Sequence, residues 1–143
     1  MKPELVFFAG STLLEGPIWD AENKLIYCVS IEQSLIYAIN PETGHINSYP
    51  TNGHVGCVAL TKNGFLYSAE KEGIYSIDSN SGLRTFISQF ESNEEMRYND
   101  GTIDPVGRFL VGTKGYKKEY PNENYEKLVR EREIHERECQ NLR

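Results

Sequence analysis

The feature that most constrains this chain is a pattern that returns about every forty residues, the spacing of four-stranded propeller blades. One copy runs Gly16-Pro17-Ile18-Trp19-Asp20-Ala21-Glu22-Asn23-Lys24-Leu25-Ile26-Tyr27 and closes on Ile36-Tyr37-Ala38-Ile39-Asn40-Pro41-Glu42-Thr43-Gly44. The next runs Gly56-Cys57-Val58-Ala59-Leu60-Thr61-Lys62-Asn63-Gly64-Phe65-Leu66-Tyr67 and closes on Ile74-Tyr75-Ser76-Ile77-Asp78-Ser79-Asn80-Ser81-Gly82. A third opens at Asn99-Asp100-Gly101 and reaches Phe109-Leu110-Val111-Gly112-Thr113. Each copy is a short strand, a polar turn, a second strand, a third strand and a turn ending in Gly. The turns hold Gly, Asn, Asp and Pro, which suit tight hairpin backbones.

The period predicts an all-β fold of about two and a half propeller blades. A blade is buried on both faces by its neighbours, which explains why Leu25-Ile26-Tyr27-Cys28-Val29 alternates poorly. A β-sandwich of short strands would share the composition but has no reason to repeat so regularly.

The third copy breaks off after Tyr116. Residues 117–143 are rich in helix formers and contain no Gly. Glu126 and Arg130, and Glu133 and Arg137, stand at helical spacing in the favourable order. The expectation is a partial propeller over 1–116 and a charged C-terminal helix over 117–143. Its apolar face is thin, with Leu128, Cys139 and Leu142 as the main members.

Charge narrows the partners. The chain carries a net charge of −6. Lys and Arg balance Asp and Glu from Lys117 onward, so the negative excess lies in residues 1–116. An acidic body argues against nucleic acid. No apolar run approaches the roughly 18 residues that cross a bilayer, and the first ten residues make a poor signal peptide. A soluble, cytoplasmic protein with no membrane partner is expected. Cys28, Cys57 and Cys139 have neither disulfide-framework nor zinc spacing, and the first two sit in apolar runs as small buried hydrophobes.

Two segments hold more than framework. In Leu14-Glu15-Gly16-Pro17, a carboxylate precedes a Gly-Pro pair at the mouth of a strand. That arrangement holds Glu15 stiffly near the propeller axis, or else is a surface turn with an incidental Glu. In Arg97-Tyr98-Asn99-Asp100-Gly101, a guanidinium, an amide and a carboxylate come just before an apolar strand. Arg97 and Asn99 alternate onto one side and offer donors for sugar or carboxylate oxygens, or else cap a polar turn. Asp104-Pro105-Val106-Gly107 reads as the hairpin turn of its unit. His45, His54 and His135 have no ligand spacing and read as loop or surface residues. Glu70 fits no motif and is expected in solvent.

At these segments the chain resembles the gluconolactonase/regucalcin (senescence-marker) family. Glu15-Gly16-Pro17-Ile18-Trp19 matches the first-blade motif. Arg97, Asn99, Asp100, Gly101, Asp104, Pro105, Gly107, Arg108, Phe109, Gly112 and Thr113 match the third-blade motif at fixed spacing. The resemblance implies a six-bladed propeller and a metal-dependent sugar-lactone hydrolase. It implies that Glu15 is a ligand of one divalent metal, Ca²⁺ ahead of Zn²⁺, Mn²⁺ or Mg²⁺. It implies that Arg97 and Asn99 contact a small-molecule sugar lactone, and it leaves the role of Asp100 open. The family's other ligands, an Asn and an Asp that also serves as base, belong to later blades. Its acidic residue after the Gly-Thr pair is not matched, since Lys114 and then Lys117-Lys118-Glu119 stand there. The expectation is therefore a truncated lactonase domain, inactive alone. The alternatives are a non-catalytic interaction module that self-associates through an open blade face, or a truncated gene product without activity.

Overall fold

The computed structural model describes residues 2–61, 63–89, 94–116 and 127–129. Its described residues form strands and turns, without a helix, in three antiparallel sheets. The first sheet holds β1 (Leu14–Asp20), β2 (Leu25–Ser30), β3 (Leu35–Ile39) and β4 (Ile46–Pro50) in chain order. The second holds β5 (Val55–Leu60), β6 (Phe65–Glu70), β7 (Gly73–Asp78) and β8 (Arg84–Ser88), again in chain order. The third holds β9 (Met96–Ile103), β10 (Phe109–Gly115) and β11 (Lys127–Val129), with β10 in the middle.

The repeat appears as duplicated hydrogen bonds. In Asn40-Pro41-Glu42-Thr43-Gly44, the Asn40 side chain accepts from the backbone N–H groups of Glu42 and Thr43, at 2.9 and 3.0 Å. The Gly44 N–H donates back to the Asn40 carbonyl. In Asp78-Ser79-Asn80-Ser81-Gly82, the Asp78 carboxylate accepts from Asn80 and Ser81, and the Gly82 N–H donates to the Asp78 carbonyl. Gly44 and Gly82 both take φ near +70° (71° and 72°), where a side chain is disfavoured. The Asn80 N–H chiefly, with Ser81, holds the Asp78 carboxyl below its usual range. Asp104 closes its own turn by accepting from Val106 and Arg108, as its hairpin reading expects.

Sheets pack face to face, and the middle one divides its side chains by period two. Val58, Leu66 and Ile77 point to the first sheet and join Tyr27, Val29, Ile36 and Ala38 in one core. Cys57, Ala59, Tyr67, Ala69 and Ile74 point to the third and join Tyr98, Phe109 and Val111 in another. Both faces of the middle blade are thus apolar, which is why its strands do not alternate between apolar and polar. Tyr49 ties the first two blades further, its hydroxyl donating to the Ser79 carbonyl at 2.8 Å. Cys28 and Cys57 are buried and unpaired with each other. Burial pushes the Cys28 thiol up to about 11 and the Cys57 thiol higher still.

The expected C-terminal helix is corrected where it can be read. Lys127–Val129 is a strand, with Val129 opposite Val111 and Lys127 opposite Thr113. The edge of β10 offers a row of backbone donors and acceptors, and a strand satisfies them where a helix would not. The rest of that expected helix lies outside the described residues.

Candidate functional site

The first strand of each sheet is its innermost: β5 lies against both β1 and β9. Each of these three strands carries one bulge, and the bulges fall at corresponding places. On β1, Glu15 pairs with Val29 and Ile18 with Tyr27, so one residue is extra. On β5, Val55 pairs with Glu70 and Cys57 with Ala69, leaving Gly56 extra. On β9, Asn99 pairs with Gly112 and Gly101 with Val111, leaving Asp100 extra. A bulge bends its strand and re-aims the neighbouring side chains. Glu15, Val55 and Asn99 are therefore equivalent residues, each the last paired residue before the bulge. Repetition about an axis sets equivalent residues at one level around it.

The bulges on β1 and β9 use left-handed backbone. Gly16 has φ +59° and Asp100 has φ +54°. Asp is among the few residues that tolerate this region. The Asp100 carboxylate accepts from the Gly101 N–H at 2.8 Å, which stabilises the turn locally. That gives Asp100, whose role the sequence left open, a task in the backbone.

Close approach of β5 to β9 depends on missing side chains. A Cβ at Gly56 would lie 2.3 Å from the Tyr98 carbonyl oxygen and 2.7 Å from the Asn99 nitrogen. A Cβ at Gly101 would lie 2.5 Å from the Cys57 sulfur. The two glycines bring the third blade against the second and so place its site residues.

Of the three predicted site residues, two meet directly. Arg97 is 9 % exposed. Its Nη1 donates to the Asn99 side-chain oxygen at 2.8 Å and to the Tyr98 carbonyl at 3.0 Å. With its oxygen engaged, the Asn99 amide has its N–H₂ left for a ligand. The pair is thus a donor surface, suited to carbonyl, hydroxyl or carboxylate oxygens. Glu15 stands exposed at the corresponding place on β1. Among the described residues no three His, Cys, Asp or Glu side chains come together to hold a metal ion. A divalent cation wants several protein oxygens, and among the described residues Glu15 is not grouped with two other such side chains.

One residue differs from its sequence expectation, and a second has a contact the sequence does not show. Glu70 is wholly buried, not solvated. It accepts from Ser68 Oγ at 2.7 Å, from the Asn52 N–H at 2.8 Å and from Arg84. Burial lifts its pKa, and these three partners hold it down. His54 lies in the loop before β5, as expected, and its Nδ1 is 3.0 Å from the Tyr116 hydroxyl. Apart from Ser68, the partners lie far along the chain, so no local pattern announces these contacts.

A cavity of about 410 Å³ opens at the opposite, turn-bearing end, between the first two blades. Trp19, Asp20, Asn23 and Phe65 line it, and none of the predicted site residues does. Its polar atoms already serve one another: Asp20 accepts from Glu22, Asn23 and the Asn23 amide.

Three sheets fanned about β1, β5 and β9 define the class, a β-propeller built from antiparallel blades. Residues 13–140 match the family described as SMP-30/Gluconolactonase/LRE-like region. The chain belongs to that family of sugar lactonases and regucalcins. Among its relatives, the 6-deoxy-6-sulfogluconolactonase of Pseudomonas putida is 30% identical over 104 residues, 72% of this chain and 36% of that protein. Regucalcin of Danio rerio is 28% identical over 113 residues, 79% of this chain and 38% of that protein. The chain thus spans a little over a third of the length of these relatives. The fold is shared with the crystal structure of a calcium-binding protein, regucalcin, from Agrobacterium tumefaciens. That likeness has a TM-score of 0.70 at 22% identity and covers 74% of this chain and 36% of the other.

Proposed function

We propose that this chain supplies the lactone-binding portion of a sugar-lactone hydrolase site, with Arg97 and Asn99 as its contacts. The observation that carries the reading is the near-buried guanidinium bonded to Asn99, beside the bulge on an innermost strand. Membership in a family that includes sugar lactonases supports the substrate class. Arg97 presents a charged donor and the Asn99 amide a neutral one. Together they suit the oxygens of a lactone and the carboxylate that ring opening leaves.

Glu15 is proposed as one carboxylate of a divalent-metal site, Ca²⁺ first, because its place on β1 corresponds to that of Asn99 on β9. Such a site would need further oxygen ligands beside Glu15, and among the described residues no group of three His, Cys, Asp or Glu provides them. The property supported for this chain is binding.

The test is calorimetric titration of the full chain with gluconate, the ring-opened acid. Arg97→Ala and Asn99→Ala are expected to weaken binding tenfold or more, following the loss of a charge-assisted hydrogen bond of about 1.5–3 kcal/mol. Equal affinity in parent and both variants would overturn the reading.

A further inference from the structure

Beside Arg97 and Asn99, one cluster joins four separate stretches of chain at the same end of the blades. Its hub is Lys71, in the turn between β6 and β7. The Lys71 ammonium donates to the Glu94 carbonyl at 2.7 Å and to the Met96 carbonyl at 2.8 Å. The first carbonyl lies in the lead-in to β9 and the second on its first residue, immediately before Arg97. The Glu95 carbonyl between them is taken instead by the Tyr116 N–H at 2.8 Å. The segment before Arg97 is therefore gripped by Lys71 on two carbonyls and by the end of β10 on the third.

Lys71 is itself fixed. Its backbone N–H donates to the His54 carbonyl at 2.8 Å. Its ammonium lies 4.9 Å from the centre of the Tyr116 ring, an attractive cation–π placement. The Tyr116 hydroxyl meets His54 Nδ1, and the two rings lie 5.4 Å apart. The contacts close a circuit from His54 to Lys71, to the β9 lead-in, to Tyr116 and back to His54.

The circuit answers a physical problem. β9 is an innermost strand, and among the described residues it pairs along one edge, with β10. Backbone carbonyls on an unpaired edge need donors from elsewhere. An ammonium carries three donors on a flexible stem and serves two carbonyls at once. A planar guanidinium distributes its donors differently. Arg97 is held by atoms of its own strand, the Tyr98 carbonyl and the Asn99 amide oxygen. Its position is thus only as fixed as the start of β9.

We propose that Lys71, locked by the Tyr116–His54 pair, is a positioning residue that fixes the start of β9 and so sets Arg97 and Asn99 for their ligand. The proposal rests on the reading that those two residues hold the lactone.

The test compares the full parent chain with Lys71→Met, Lys71→Arg, Tyr116→Phe and Arg97→Ala. Gluconate affinity is measured by calorimetry, and amide exchange at residues 97–99 by mass spectrometry or NMR. Lys71→Met keeps the aliphatic stem and removes the donors. It is expected to weaken gluconate binding about tenfold through misplacement of the contacts and to speed exchange at 97–99. Lys71→Arg should not restore either property. Tyr116→Phe, which leaves Lys71 in place, should give a smaller change in the same direction and covers the case in which Lys71→Met does not fold. Should Arg97→Ala weaken binding while the Lys71 and Tyr116 variants leave both affinity and exchange at parent values, the positioning role is wrong. Should the parent fail to bind gluconate while Lys71→Met still speeds exchange at 97–99, the grip on β9 stands and the lactone reading falls.

Discussion

Replacing Arg84 by Ala leaves a carboxylate in the interior without its cation. Glu70 is wholly buried, and the Arg84 side chain is 19% exposed. Arg84 also donates to the Asn52 side-chain oxygen at 3.2 Å and lies 4.5 Å over the Tyr75 ring. Removing one member of a buried ion pair costs about 3–5 kcal/mol. Here the loss should fall near the lower end, about 3 kcal/mol at pH 7.5, because Ser68 and Asn52 still donate to Glu70. The loss should also depend on pH. Glu70 has a folded pKa above its ordinary value, chiefly through burial. Such a group favours folding below the unfolded pKa of about 4.3 and loses that contribution as pH rises through the folded value. Without Arg84 the folded pKa climbs further, so the penalty grows with pH. Toward pH 4 more of the carboxyl is protonated, so Arg84→Ala should cost less than at pH 7.5, approaching the lost packing and the Asn52 bond, about 1 kcal/mol. The assay is urea denaturation of parent and variant at both pH values, comparing the difference at each so that other titrating groups cancel. A loss that is the same at pH 4 and pH 7.5 would refute the argument that Glu70 is buried as a charge held by Arg84.

Gly56→Ala places a methyl 2.3 Å from the Tyr98 oxygen and should destabilise by about 1–3 kcal/mol through overpacking. It should also weaken gluconate binding, since Asn99 must move; denaturation and titration of one preparation check both. Cys28 and Cys57 should resist a thiol reagent at pH 8 in the folded chain and react on unfolding, because burial keeps both protonated; peptide masses identify the labelled site. Asp78 has a depressed folded pKa, so it contributes stability above the unfolded value of about 3.9 that is lost as pH falls through the folded one. Asp78→Asn keeps the turn acceptor and should flatten that part of the acid-denaturation profile relative to the parent.

The blades were legible because each announces itself locally. Asn40-Pro41-Glu42-Thr43-Gly44 and Asp78-Ser79-Asn80-Ser81-Gly82 make the same bonds within five residues. Leu66 and Tyr67 could be read as strand, though only packing shows that they face different neighbours. Arg97 and Asn99 were legible as a pair, since alternation on one strand brings residues two apart together. Glu70 was misread because burial is a property of what lies opposite. Arg84 and Asn52 are fourteen and eighteen residues away. The Tyr116 partner of His54 could not be read for the same reason, since it lies sixty-two residues downstream. The helical composition around Lys127 was outweighed at residues 127–129 by the open edge of β10. Propensity of a few tenths of a kcal/mol per residue yields readily to a waiting partner.

The recurrence of the bulge at Glu15, Val55 and Asn99 separates framework from chemistry. Each copy of the module provides one socket at its bulge. What fills the socket varies while the strand pairing around it does not: an acid, a hydrocarbon, an amide. An architecture of this kind can change one copy at a time, and Val55 marks a socket whose occupant is buried in the apolar core while Glu15 on β1 stands exposed.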